Sequence, residues 1–161
     1  MKKILIVSYD WPPTGSVGML RMVKFAKQLV RRGYGVSVLT KQEAGRGSIS
    51  WDIEEPVLDN VRILKVRPSG GRPASWIYRK IYSQFEMDWF YDFRNGFDGL
   101  LKEGDLDLVI SSSPPESAHL IALEIKNRLN VPWIADLRDL WSDDHYRSFD
   151  LFRRMLFRRK E

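Results

Sequence analysis

Apolar positions along this chain change period several times, and each change marks an element. Ile4 to Val7 form an unbroken β-branched and leucine run, the pattern of a strand buried on both faces, and Trp11-Pro12-Pro13-Thr14-Gly15 closes it. Met19, Met22, Val23, Ala26, Leu29 and Val30 then recur at helical spacing, with Lys24, Lys27 and Arg31 opposite them and Gly33 where a C-terminal cap belongs. Val36 to Leu39 gives a second strand. Strand, helix and strand in so short a stretch predict a βαβ unit with parallel strands and a right-handed crossover.

Residues 41–60 are rich in Gly, Ser and acidic groups without a period, which predicts an exposed loop. Val61, Ile63 and Leu64 to Val66 predict a third strand, ended by Pro68-Ser69-Gly70-Gly71-Arg72-Pro73. Tyr78, Tyr82, Phe85, Trp89, Phe93, Phe97 and Leu100 step by three or four and so share one stripe of a helix from about Ala74 to Lys102, with Gly96 and Gly99 as points where it would kink or split. Leu108 to Ile110 predict a buried strand. Ser113-Pro114-Pro115-Glu116 fits a capping box, followed by a helical stripe of Ala118, Ile121, Ala122, Ile125 and Leu129. Val131 to Ala135 predict the last strand. The alternation predicts an α/β fold: a doubly wound, mostly parallel Rossmann-like sheet with helices on both faces.

The length of 161 residues allows one such domain, spanning 1–161. Apolar residues are 43% and charged ones 29%, near globular averages, which excludes a disordered or fibrous chain. No apolar window is long enough to span a membrane, and Ile4 to Val7 is too short for the core of a signal peptide, so the expected location is cytoplasmic. The absence of cysteine excludes disulfides, thiolate nucleophiles and Cys-ligated zinc. Net charge is +5, and most of that excess lies between Arg147 and Glu161, where six basic residues face two acidic ones. A basic helix there, carrying Leu151, Phe152, Met155 and Leu156, suits an anionic membrane surface better than nucleic acid, and a solvated helix face is the plainer reading. The Tyr78 to Phe97 stripe is likewise either a second apolar surface or core.

Ligands of an open parallel sheet bind beyond the carboxyl ends of the strands. Three segments are expected there. Gly15-Ser16-Val17-Gly18 follows the first strand and opens a helix, so its backbone amides, with Arg21 one turn on, suit a phosphate; a simple tight turn is the alternative. It is neither G-x-G-x-x-G nor a P-loop. Ser111-Ser112-Ser113 offers hydroxyls, and His119 lies one turn into the next helix, where it either reaches a substrate hydroxyl or serves the fold. In Asp136-Leu137-Arg138-Asp139, alternation places Asp136 and Arg138 on one side of the chain, which predicts an ion pair at the sheet edge. No spacing of metal ligands accompanies the aspartates, so no metal is expected.

These residues resemble the N-terminal half of a GT-B glycosyltransferase of the retaining family-4 kind. The resemblance lies in Ile4 to Val7 with Pro12-Pro13 and the glycine loop, in Arg21, Leu29, Gly33 and Val36 to Thr40, in Ser111 to Leu120, and in Val131 to Trp141. It implies an acceptor-gripping domain whose glycine loop, here Gly15 and Gly18 with Ser16 and Arg21, reaches the donor diphosphate. Ser112, Ser113 and His119 would meet the acceptor, a glycan or lipid-linked hydroxyl. Many members carry a His-Asp pair after the last strand; Arg138-Asp139 stands there, and Asp136 becomes the candidate carboxylate beside the acceptor hydroxyl. The resemblance also implies a nucleotide-sugar as substrate, no metal cofactor, and a separate C-terminal donor domain beyond Glu161. A non-enzymatic nucleotide- or protein-binding module on the same scaffold is the second reading. An NAD-dependent oxidoreductase is a third, weakened by Thr40-Lys41 where an acidic residue would end the second strand.

Overall fold

The computed structural model describes residues 1–15, 18–41, 49–50, 56–67, 87–101 and 106–138. In chain order these form β1 (Lys3–Val7), β2 (Thr14–Gly15), α1 (Met19–Arg31), β3 (Gly35–Lys41), β4 (Ile49–Ser50), a 3₁₀ turn (Pro56–Asn60), β5 (Arg62–Val66), α2 (Met87–Leu100), β6 (Leu108–Ser112), α3 (Ser117–Leu129) and β7 (Trp133–Asp136). Five strands make one sheet in the order β5-β3-β1-β6-β7, and every pairing in it is parallel. The predicted doubly wound α/β sheet is therefore the observed one. β2 and β4 pair separately, antiparallel, with Gly15 opposite Ile49.

Strand alternation divides the apolar residues between two cores. Ile6, Val36 and Val38 meet Met19, Met22, Val23 and Ala26 of α1 on one face. Leu5, Val7, Leu39 and Val109 meet Trp89 and Phe93 of α2 and Ile121 and Ile125 of α3 on the other. Helices thus cover both faces, as the unbroken apolar strands require.

Four boundaries differ from expectation, each for a local reason. The capping box does not form: the N-cap of α3 is Glu116, without a side-chain cap bond, and Ser113 lies before the helix. Ser113 and Pro114 each precede a proline and are steered away from helical backbone, so the helix starts only after Pro115. Residues 41–60 are not featureless, because Leu58 in the 3₁₀ turn packs against the α1 core and β4 pairs with β2. α2 runs through Gly96 and Gly99 as one helix, anchored by Trp89 and Phe93, which are 1% and 0% exposed. The last strand ends at Asp136 rather than Ala135, since Ser112 and Asp136 are still in register. The part of the expected long helix before Met87, the end of β5's expected loop after Arg67, Asp139 and the basic C-terminal helix lie outside the described residues.

α1 ends as its sequence predicts. Gly33 N donates to Val30 O at 2.9 Å and Tyr34 N to Leu29 O at 3.1 Å, closing the helix with Gly33 at φ +80°. A methyl group at Gly33 would meet nothing within 4 Å, so Gly33→Ala carries only the left-handed backbone penalty. It is expected to destabilise by about 1 kcal/mol, read from urea unfolding.

Candidate functional site at the carboxyl edge of the sheet

β1 lies between β3 and β6. The chain leaves β1 toward β3 on one side and returns to β6 on the other, and it is outside the carboxyl ends of the strands at such a reversal that open parallel sheets bind their ligands. Three elements bring polar side chains to this edge. Arg21 stands in the first turn of α1, Ser112 ends β6 and Asp136 ends β7.

These three residues meet. Arg21 Nη2 lies 2.6 Å from Asp136 Oδ2, Ser112 Oγ donates to the same oxygen at 2.9 Å, and Nη2 reaches Ser112 Oγ at 3.4 Å. The expected ion pair at the edge is present, with a different partner. Alternation predicts Arg138, whereas the structure pairs Asp136 with Arg21 across the sheet; Arg138 follows β7 in an exposed position. Backbone register also holds the main chain of Asp136, because Ser113 N donates to the Asp136 carbonyl oxygen at 3.3 Å.

Behind this cluster lies a second polar network, separated from it by one residue of strand alternation. Ser112 points with Ile6 and Ile110 to the α1 side, so Ser111 points to the other face. There Trp133 Nε1 donates to Ser111 Oγ at 2.8 Å, and Ser111 Oγ lies 2.7 Å from His119 Nδ1. The hydroxyl oxygen accepts from Trp133 and has a second lone pair, so it either donates its proton to a bare Nδ1 or accepts from an Nδ1–H, and the contact suits both neutral tautomers of the imidazole. Burial lowers the His119 pKa from 6.5 to about 4, and the Asp136 carboxylate opposes that shift. A group 3% exposed and neutral at pH 7 belongs to the support of the edge.

The remaining expected residues divide in two. Gly15 pairs with Ile49 in the small antiparallel ladder, and Gly18 is the N-cap of α1 with no side-chain cap bond. Ser113 is buried, its hydroxyl without an acceptor or donor among the described residues. Ser16 and Asp139 lie outside the described residues. On the far side of β1, Thr40 Oγ1 donates to Tyr9 O at 2.8 Å, Ser8 N to Leu39 O at 3.0 Å, and Lys41 bonds the Tyr9 hydroxyl. These contacts tie the segment after β1 to the end of β3. Sequence reading missed the Ser111–Trp133 bond and the Tyr9–Lys41 bond. For the first, a signal existed: three consecutive serines on a buried strand must divide between two faces.

Among the described residues no group of three or more His, Asp or Glu side chains converges as metal ligands do, and no helix is long and apolar enough to cross a membrane.

No curated protein matches the chain. Among solved structures, that of Phytolacca americana UGT2 complexed with UDP-2fluoro-glucose and pterostilbene is similar over 84% of this chain, at 19% identity and a TM-score of 0.49. The chain spans about 30% of that protein's length. Residues 18–160, from the N-cap of α1 almost to the last residue, match the Glycosyl transferase 4-like domain, and the chain belongs to that family.

Proposed function

We propose that this chain is the acceptor-side half of a glycosyltransferase that moves a sugar from a nucleotide-sugar to a glycan or lipid-linked hydroxyl. The observation that carries the reading is the meeting of Arg21, Ser112 and Asp136 at the reversal point of the sheet, in a chain of the Glycosyl transferase 4-like family. Sugar transfer develops positive charge on the ring and negative charge on the departing phosphate, so a site with a guanidinium and a carboxylate at one edge suits both.

In this reading Arg21, with the segment Gly15, Ser16 and Gly18, takes the diphosphate oxygens at the start of α1. Asp136, held by Ser112, takes the acceptor hydroxyl, and Ser113 and Arg138 follow the same strand ends; Asp139, next in the chain, is assigned to the same step on its sequence position alone. His119, on α3, supports Asp136 from behind through Ser111, whose neighbour on β6, Ser112, holds the carboxylate. The nucleotide-sugar is a substrate, and the reading calls on no metal. A second, donor-gripping half would come from outside these 161 residues. Work on a lipid-linked acceptor would bring the chain to the cytoplasmic surface of a membrane as a peripheral protein.

Isothermal titration of the 161-residue chain with UDP, GDP and ADP, and with NAD beside them, tests the reading. At least one nucleoside diphosphate is expected to bind saturably, with affinity about tenfold lower in Arg21→Gln, since a charge-assisted phosphate contact is lost. NAD bound more tightly than all three, or no nucleoside diphosphate bound at all, would sink it.

A further inference from the structure

Arg21 and Asp136 meet through a single nitrogen and a single oxygen. A guanidinium and a carboxylate at full strength form two parallel bonds. Here Arg21 Nε is buried with no acceptor among the described residues, while Arg21 Nη2 and Ser112 Oγ both converge on Asp136 Oδ2. An unsatisfied buried N–H is costly, so the pair is formed below the capacity of its donor. Both side chains also remain within reach of solvent, at 37% and 25% exposure. The guanidinium is therefore held by a partner that a better acceptor can replace.

A diphosphate is that acceptor. Its tetrahedral oxygens can take Nε and Nη2 of one guanidinium together, and it carries more negative charge than a carboxylate. We propose that Asp136 and a diphosphate group compete for Arg21: the arriving diphosphate draws the guanidinium away, and the Asp136 carboxylate, still held by Ser112, is released to the acceptor hydroxyl. Donor binding and readiness of the carboxylate are then one event. The inference rests on the reading above that this edge takes a diphosphate-bearing substrate, either a nucleotide donor or a lipid carrier.

The test is a double-mutant cycle on the full 161-residue chain, with inorganic pyrophosphate as probe. Asp136→Asn keeps the shape of the side chain and the bond from Ser112 while removing the competing charge. It is expected to tighten pyrophosphate binding about three- to tenfold. In Arg21→Gln the same change is expected to give no gain, because nothing is left to compete for; Arg21→Lys, which keeps the charge without the fork, should recover part of it. UDP and isopentenyl diphosphate distinguish the sources. A gain with UDP alone assigns the group to a nucleotide, with isopentenyl diphosphate alone to a lipid carrier, and with both to the diphosphate itself; each outcome carries the exchange. No gain with any probe overturns it, as does an equal gain in the Arg21→Gln background, which would be mere charge repulsion. Unfolding curves taken on each variant keep a folding defect apart from a binding effect. If pyrophosphate obeys the cycle while no nucleoside diphosphate binds, the exchange stands and the nucleotide-sugar reading falls; if nucleoside diphosphates bind and the cycle fails, the reverse holds.

Discussion

Acidification from about pH 6.5 to pH 4 is expected to remove roughly 3 kcal/mol of stability through His119 alone. In the unfolded chain this imidazole takes its proton near 6.5, while in the folded chain burial holds it neutral down to about 4, against the pull of Asp136. Between those values the unfolded state binds more protons, so stability falls as pH falls. Above 6.5 the contribution is whole, and below 4 there is nothing further to lose. Each unit of separation is about 1.4 kcal/mol, which sets the size. His119→Asn keeps an acceptor near Ser111 Oγ and removes the titration. Urea unfolding of both proteins at pH 7 and pH 4.5 should show a steeper loss in the wild type by about 2–3 kcal/mol, the carboxylates being common to both. Equal losses would mean that burial does not hold His119 neutral in the folded protein.

That network explains why the carboxyl edge holds its geometry. Ser111 and Ser112 are neighbours on one strand, yet one belongs to a dry cluster with His119 and Trp133 and the other to a half-exposed cluster with Arg21 and Asp136. Displacing either strand end would break bonds on both faces at once. β6 and β7 stay in register to their last residues, Ser112 opposite Asp136. The carboxylate is thereby held by the ends of two paired strands, while its cationic partner comes from a different element, α1.

Most of the fold was legible because its strands are short apolar runs and its helices carry a clean period of three and four. β1, α1, β3, β6 and α3 follow from that pattern within a few residues, and a chain alternating in this way has few sheets open to it. The β2–β4 ladder was not legible: two residues on each side carry no periodic signal, and their pairing is decided by where the loops lie. The site was half legible. Glycine, serine and aspartate segments at strand ends pointed to the carboxyl edge of the sheet, but Arg21 and Ser112, which meet there, are 91 residues apart. Local alternation near Asp136 favoured Arg138, and only the strand order, with β1 beside β6 and β6 beside β7, brings α1 over Asp136 instead. For His119 the sequence left both an edge position and a structural one open. Its position one turn into a helix suggests access to the edge, whereas its azimuth, one residue from Ala118 and two from Ile121 on the buried stripe, turns it to the core.

The aromatic stripe was left open by sequence alone, since Trp89 and Phe93 suit a core first and a membrane-facing surface as the alternative. In the structure Phe93 is fully buried among residues that include Leu64, Val66, Ile121 and Ile125, and Trp89 packs edge-on against Tyr9 with ring centroids 5.2 Å apart. α2 therefore closes the face of the sheet opposite α1. Phe93→Ala removes a ring from a dry, close-packed site that cannot fully collapse, and it is expected to cost about 3–5 kcal/mol. Phe93→Leu, which keeps most of the volume, should cost less than about 1.5 kcal/mol. Urea midpoints with an unchanged slope would report both. A lipid-facing role makes the opposite forecast: stability within about 0.5 kcal/mol of wild type, and weaker pelleting with anionic vesicles. With a net stability of about 5–15 kcal/mol for a domain of this kind, the larger loss would leave Phe93→Ala partly unfolded at modest urea, and the carboxyl edge would be lost with the sheet that carries it. The same ring that closes the core thus sets how much disturbance the Arg21–Asp136 pair can survive.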